Sequence, residues 1–122
     1  MQTEQLPNLN AGFWIIFPPD TKISEAKQHL PINTIFDYYP DSVNATVAEV
    51  ENYYALDIDT VLTKLFSLCD LKSLSKVAQN FNGKIHIGVW YYCYGIKPSV
   101  IFEGENMSII HKLEADLSID AY

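Results

Sequence analysis

The chain has 122 residues, 48% hydrophobic and 19% charged, enough to bury a core without disulfides or metal and too apolar to stay disordered. Its formal net charge is -7, and all eight basic residues are Lys. It therefore lacks the positive field that binds nucleic acid and the planar guanidinium fork that clamps phosphates, whereas its charge suits a basic partner.

Residues 1 to 10 are polar, with Pro7 and two Asn, and read as a flexible N-terminal arm ahead of a single domain over 11 to 122. The run Ala11 to Phe17 is short, apolar and stopped by Pro18-Pro19, which predicts a first strand. Ile23, Ala26, Lys27 and Leu30 share a helical face, so a helix of about two turns is expected before Pro31, capped by Thr21 or Ser24. Pro31 to Val43 reads as irregular, ending in the turn composition Pro40-Asp41-Ser42. In Thr46 to Leu56 the residues Val47, Glu49, Glu51, Tyr53 and Ala55 alternate against Ala48, Val50, Asn52, Tyr54 and Leu56, the pattern of a strand.

Asp59 is a candidate N-cap for the main helical mass, Asp59 to Asn80, where Leu62, Leu65, Phe66, Leu68 and then Leu71, Leu74, Val77, Ala78 and Phe81 recur at helical intervals. Asp70 can restart a second helix after a kink near Cys69. After the turn signal Asn82-Gly83, Lys84 to Gly95 reads as the central strand, with Ile85, Ile87, Val89, Tyr91 and Cys93 on one face and His86, Gly88, Trp90, Tyr92 and Tyr94 on the other. Two largely apolar or aromatic faces place it in the sheet interior, or set its second face against a helix or a partner. Glu103 to Leu113 is a further helix, and Ala115 to Tyr122 a last strand whose polar face carries Asp116, Ser118, Asp120 and Tyr122. The order predicts an α+β fold: a mostly antiparallel sheet of about four to six strands with two to three helices on one face.

The start has neither a basic region nor an apolar core of the signal-peptide kind, and no run approaches a membrane span, so a cytoplasmic protein with reduced Cys69 and Cys93 is expected. His29, His86 and His111 have no metal-ligand spacing, and no nucleophile elbow or phosphate-cradling glycine loop is present. Neither a metal nor a cofactor is expected, and no catalytic residue is assigned. His86 fits a hydrogen-bonded strand residue better than a general base, and Cys93 a small apolar filler better than a nucleophile.

The asymmetry lies in the acids. Between Asp37 and Asp59 there is no Lys, and Asp37, Asp41, Glu49, Glu51, Asp57 and Asp59 are interleaved with Tyr38, Tyr39, Tyr53 and Tyr54. Carboxylates that steer, with Tyr rings that supply anchoring area, describe a binding face for a basic protein. A second acidic group, Glu103, Glu105, Glu114, Asp116 and Asp120, lies near the C-terminus, and both groups also suit a solvated surface. His86, Trp90, Tyr92 and Tyr94 form a second candidate, a pocket or dimer seam.

The stretches Ile23 to Pro31, Leu62 to Gly83, Lys84 to Gly95 and Leu117 to Tyr122 resemble the bacterial domain-of-unknown-function family 4279. That resemblance implies an immunity protein beside a bacterial toxin, of the contact-dependent growth inhibition type, and brings no catalytic residues. The chain departs from the family between the first helix and second strand, where it is acidic and rich in Tyr. The expectation is a non-enzymatic immunity protein that covers a cationic toxin domain, such as a nuclease, with neither nucleic acid nor membrane as partner. The competing expectation is a small-molecule-binding or self-associating domain, a homodimer in the latter case, built on the aromatic face of 84 to 95.

Overall fold

The computed structural model describes residues 6–93, 95–102 and 104–122, and within them the chain is α+β. Five strands, β1 (Asn8–Phe17), β2 (Ile35–Tyr39), β3 (Ser42–Tyr54), β4 (Lys84–Tyr92) and β5 (Asp116–Ala121), form one sheet in the order β2-β3-β1-β4-β5. All pairings are antiparallel except β4 with β5, which run parallel because a helix-bearing crossover joins them. The helices are α1 (Ile23–Ala26), α2 (Ile58–Ser67), α3 (Leu71–Asn80) and α4 (Gly104–Lys112).

The centre of the sheet is β1, not the strand at Lys84, which lies beside it. β4 is interior, the first of the two readings its apolar faces allow, and it ends at Tyr92 rather than Gly95. Alternation divides β1 cleanly. Leu9, Ala11, Phe13, Ile15 and Phe17 are sealed beneath the helices with Ile85, Ile87 and Val89 of β4. From above, Val61, Leu62, Leu65 and Phe66 of α2 and Leu74, Val77 and Ala78 of α3 complete the core, at the helical spacing read from the sequence. Each such large side chain contributes about 1.5–3 kcal/mol on burial.

Local chemistry sets the helix limits. Asp57, not Asp59, caps α2, its carboxylate accepting from the Thr60 backbone N–H at 2.7 Å and from the Thr60 hydroxyl. Asp70 restarts the chain as α3, accepting from the Ser73 N–H and hydroxyl. Its carboxyl is held below the usual range chiefly by the Ser73 hydroxyl, then by the Ser73 N–H. α3 ends with Asn82 at φ 56° and a 2.7 Å bond from the Gly83 N–H to the Ala78 carbonyl, a left-handed C-terminal turn. α4 is pinned to α2 by the buried Asn106, whose amide donates to the Asp59 carboxylate at 2.8 Å and to Thr63 Oγ1 at 2.9 Å.

Other expectations are corrected. Asn8, Leu9 and Asn10 are no arm but the buried start of β1. Pro31 to Val43 is not all irregular, because Ile35–Tyr39 pairs with β3 across the turn at Pro40-Asp41, with Tyr39 opposite Ser42. α1 is a single turn continued by a 3-10 turn over Lys27–His29, and neither Thr21 nor Ser24 caps it. Glu103 lies outside the described residues. Among these residues no helix is long and apolar enough to cross a membrane.

Candidate functional site

Even-numbered residues of β1 and β4 point away from the helices, and there they meet the alternate residues of β3 and β5. The register sets these residues in rows across the sheet: Thr46, Trp14, His86 and Asp116; then Glu49, Gly12, Gly88 and Ser118; then Asn10, Trp90 and Asp120; then Tyr54, Asn8 and Tyr92. No described helix residue lines the hollow that results. It is a groove of about 360 Å³, walled by Trp14, His86, Trp90, Tyr92, Asp120 and Tyr122, with Gly88 and Ser118 in its lining.

The two glycines let Trp14 lie down. A methyl group at Gly12 would overlap the far edge of the Trp14 ring, and one at Gly88 would come 2.8 Å from its Cζ3. The indole therefore lies over bare backbone on two strands. Its centroid is 6.2 Å from that of Trp90 and 6.0 Å from the His86 ring, both tilted, while Tyr92 and Tyr122 stack loosely at 5.6 Å on the rim.

Two polar devices hold this face in register. β3 bulges opposite Asn10, where Glu51 and Asn52 face one residue of β1, and Asn52 takes φ 54°. The bulge frees the Asn52 N–H, which donates to Asn10 Oδ1 at 3.0 Å. Asn10 donates in turn to Asn8 Oδ1 at 3.1 Å, and Asn8 donates to Asn52 Oδ1 at 2.9 Å and the Tyr54 hydroxyl at 3.2 Å. These two buried amides satisfy one another and the bulge.

The bulges also re-sort the Tyr pair. Tyr53, expected beside Glu49 and Glu51, is opposite Leu9 under the helices, whereas Tyr54 joins the two acids on the open face. Glu49 is held above the usual carboxylate range, first by partial burial, then by a hydrogen bond and like charge from Glu51. Asp37 and Tyr39 share this face on β2; Tyr38 points to the other, and Asp41 lies in the turn. Asp57 and Asp59 leave the candidate surface, one as a helix cap and the other bound by Asn106.

His86, Trp90 and Tyr92 all line the groove; Tyr94 lies outside the described residues. Of the acidic-aromatic set Asp37, Tyr39, Glu49, Glu51 and Tyr54 thus share one sheet face with His86, Trp90 and Tyr92 of the aromatic strand, while the other members lie elsewhere. Reading strands singly missed Trp14, Asn44, Ser118 and Tyr122, and left Asp120 in a separate acidic group. The polar alternation of the last strand already grouped three of these, but nothing in it shows that β5 lies beside β4.

The groove offers one partial catalytic likeness, a 3.1 Å contact between His86 Nε2 and Ser118 Oγ. The acid opposite His86 is Asp116, whose carboxylate instead pairs with Lys84 at 3.7 Å. A Ser-His-Asp relay needs that carboxylate behind the imidazole. The Cys69 thiol is pushed up to about 11 by burial and donates to the Leu65 carbonyl, so it is a poor nucleophile. The Cys93 thiol donates to the Ile96 carbonyl. Among the described residues no three His, Cys, Asp or Glu side chains gather where an ion could be held. Compared with known protein families, curated proteins and solved structures, the chain matches none.

Proposed function

We propose that this chain is a non-enzymatic binding protein that covers a basic protein domain with the open face of its sheet. The observation that supports this reading most is the union, on one helix-free face, of Trp14, Trp90, Tyr92 and Tyr122 with the carboxylates of Asp37, Glu49, Glu51 and Asp120. Aromatic rings give area at little entropic cost, and carboxylates select a cationic surface and speed its approach. Lys84, at the end of the same face, is tied to Asp116 and to the Glu114 carbonyl. Its charge is thereby partly offset.

The concrete form of the proposal is an immunity protein acting in the cytoplasm, with a cationic toxin domain as partner. Occlusion is the mechanism: acids occupy a groove made for a polyanion while the rings bury at its centre. Titrating the chain with the polypeptide encoded beside its gene should give a tight complex that weakens as salt is raised. Glu49→Lys with Glu51→Lys should weaken it by at least tenfold, chiefly through slower association. No complex, and no protection of cells expressing that polypeptide, would sink the proposal.

A further inference from the structure

We infer that the groove between Trp14, Trp90 and Asp120 is a receptor for a single guanidinium group, an arginine side chain presented by the basic partner. The inference rests on the preceding reading of the face and names the group that the face grips. Three features of the hollow select such a ligand. Its walls are indole and phenol rings, whose faces attract cations and stack on planar ones. Asp120, abreast of Trp90 in the register, is exposed and forms no ion pair among the described residues, so both carboxylate oxygens can accept from a guanidinium fork. Finally, Glu49, opposite Gly12 in the register, adds an acid on the same sheet face, one strand beyond that of Trp14.

Lysine fits less well. An ammonium is a compact, strongly hydrated charge without a plane to stack, and it cannot bridge a carboxylate with two parallel bonds. Neutral planar ligands can stack and, where they carry N–H groups, hydrogen-bond to Asp120, but they lack the cationic attraction to the rings and to its charge. The chain has no Arg of its own, so an arginine in this groove must come from elsewhere.

Both tryptophans of the chain line this groove, so the two indole N–H resonances report on it alone. The uniformly 15N-labelled chain is titrated with N-acetyl-arginine methyl ester, and in parallel with the uncharged N-acetyl-citrulline methyl ester of nearly the same shape. The expected result is a saturable shift of both indole signals by the arginine ester, with a midpoint on the order of 1–10 mM as befits one side chain. The citrulline ester should bind at least about tenfold more weakly, and Asp120→Asn should remove most of that difference while leaving the rest of the spectrum in place. Equal binding of the two esters, or no saturable shift from the arginine ester, overturns the inference. The outcomes also separate the two readings. A partner complex indifferent to both Asp120→Asn and Trp90→Ala overturns the groove and leaves the face reading standing. Saturable arginine shifts without any partner complex support the groove and sink the face reading.

Discussion

The two faces of β1 and β4 are built from alternate residues of the same segments, yet they solve opposite problems. The helix side is uniformly aliphatic or phenyl, from Leu9 to Phe17 and from Ile85 to Val89, and all of it is buried. The other side mixes Asn8, Asn10, Gly12, Trp14, His86, Gly88 and Trp90, and leaves its indoles partly exposed. One face gives stability; the other holds aromatic surface in place where it adds little to folding. Phe13→Ala and Trp90→Ala should therefore part sharply. The first opens a cavity under α2 and should cost about 3–5 kcal/mol in urea denaturation. The second should cost far less while weakening partner binding. Comparable losses of stability would mean that Trp90 belongs to the core after all.

A middle-sized effect should come from the glycines beneath Trp14. Gly12→Ala sets a methyl group where the indole now lies, and Gly88→Ala nearly so. The ring must lift or slide, at about 1–3 kcal/mol for the crowded contact. Both variants should also shift the Trp14 indole resonance, and both should weaken partner binding although neither residue offers a side chain to a partner. If the Trp14 resonance stays in place in Gly12→Ala, the glycines do not set the groove.

The difference between the faces also explains what sequence could reveal. Hydrophobic burial follows period, so α2, α3 and β4 were legible from spacing, β1 from its short apolar run and proline stop, and the Asp70 restart from its N-cap chemistry. Where polar groups satisfy a local irregularity, period fails. Asn8 and Asn10 look like an arm because Asn is depleted in strands, but here they fill a bulge that exists only once β3 is beside β1. The same bulge moved Tyr53 and Tyr54 to opposite faces from those simple alternation gives. β2 was passed over because an edge strand of five residues needs no apolar face, and Ile35, Tyr38 and Tyr39 remain exposed. As for the site, its acids and its aromatic strand were each visible; their union depends on the order β3-β1-β4-β5, which no single strand encodes.

The smallest effect tests whether the open face carries electrostatic strain that the helix face lacks. Glu49 and Glu51 lie two residues apart on the same face of β3, and folding raises the Glu49 pKa above its ordinary value of 4.5. A carboxyl whose pKa rises on folding holds its proton more tightly in the folded chain. Its contribution to stability is thus fully favourable below the unfolded pKa, and falls away as pH climbs from about 4.5 through the raised value. Glu49→Gln abolishes this titration. Urea midpoints of the variant should drift upward relative to the parent between pH 4 and 7, with the drift complete once the parent's Glu49 is fully ionised. Because Glu49 is mostly open to solvent, the gain should be small and should shrink in high salt. Glu51→Gln should recover part of it by removing the like charge and the hydrogen bond that favours the protonated acid. Parallel pH profiles for parent and Glu49→Gln would mean that the two acids do not oppose one another. A gain in stability joined to a loss of partner binding would mark the pair as charge held ready for a cation.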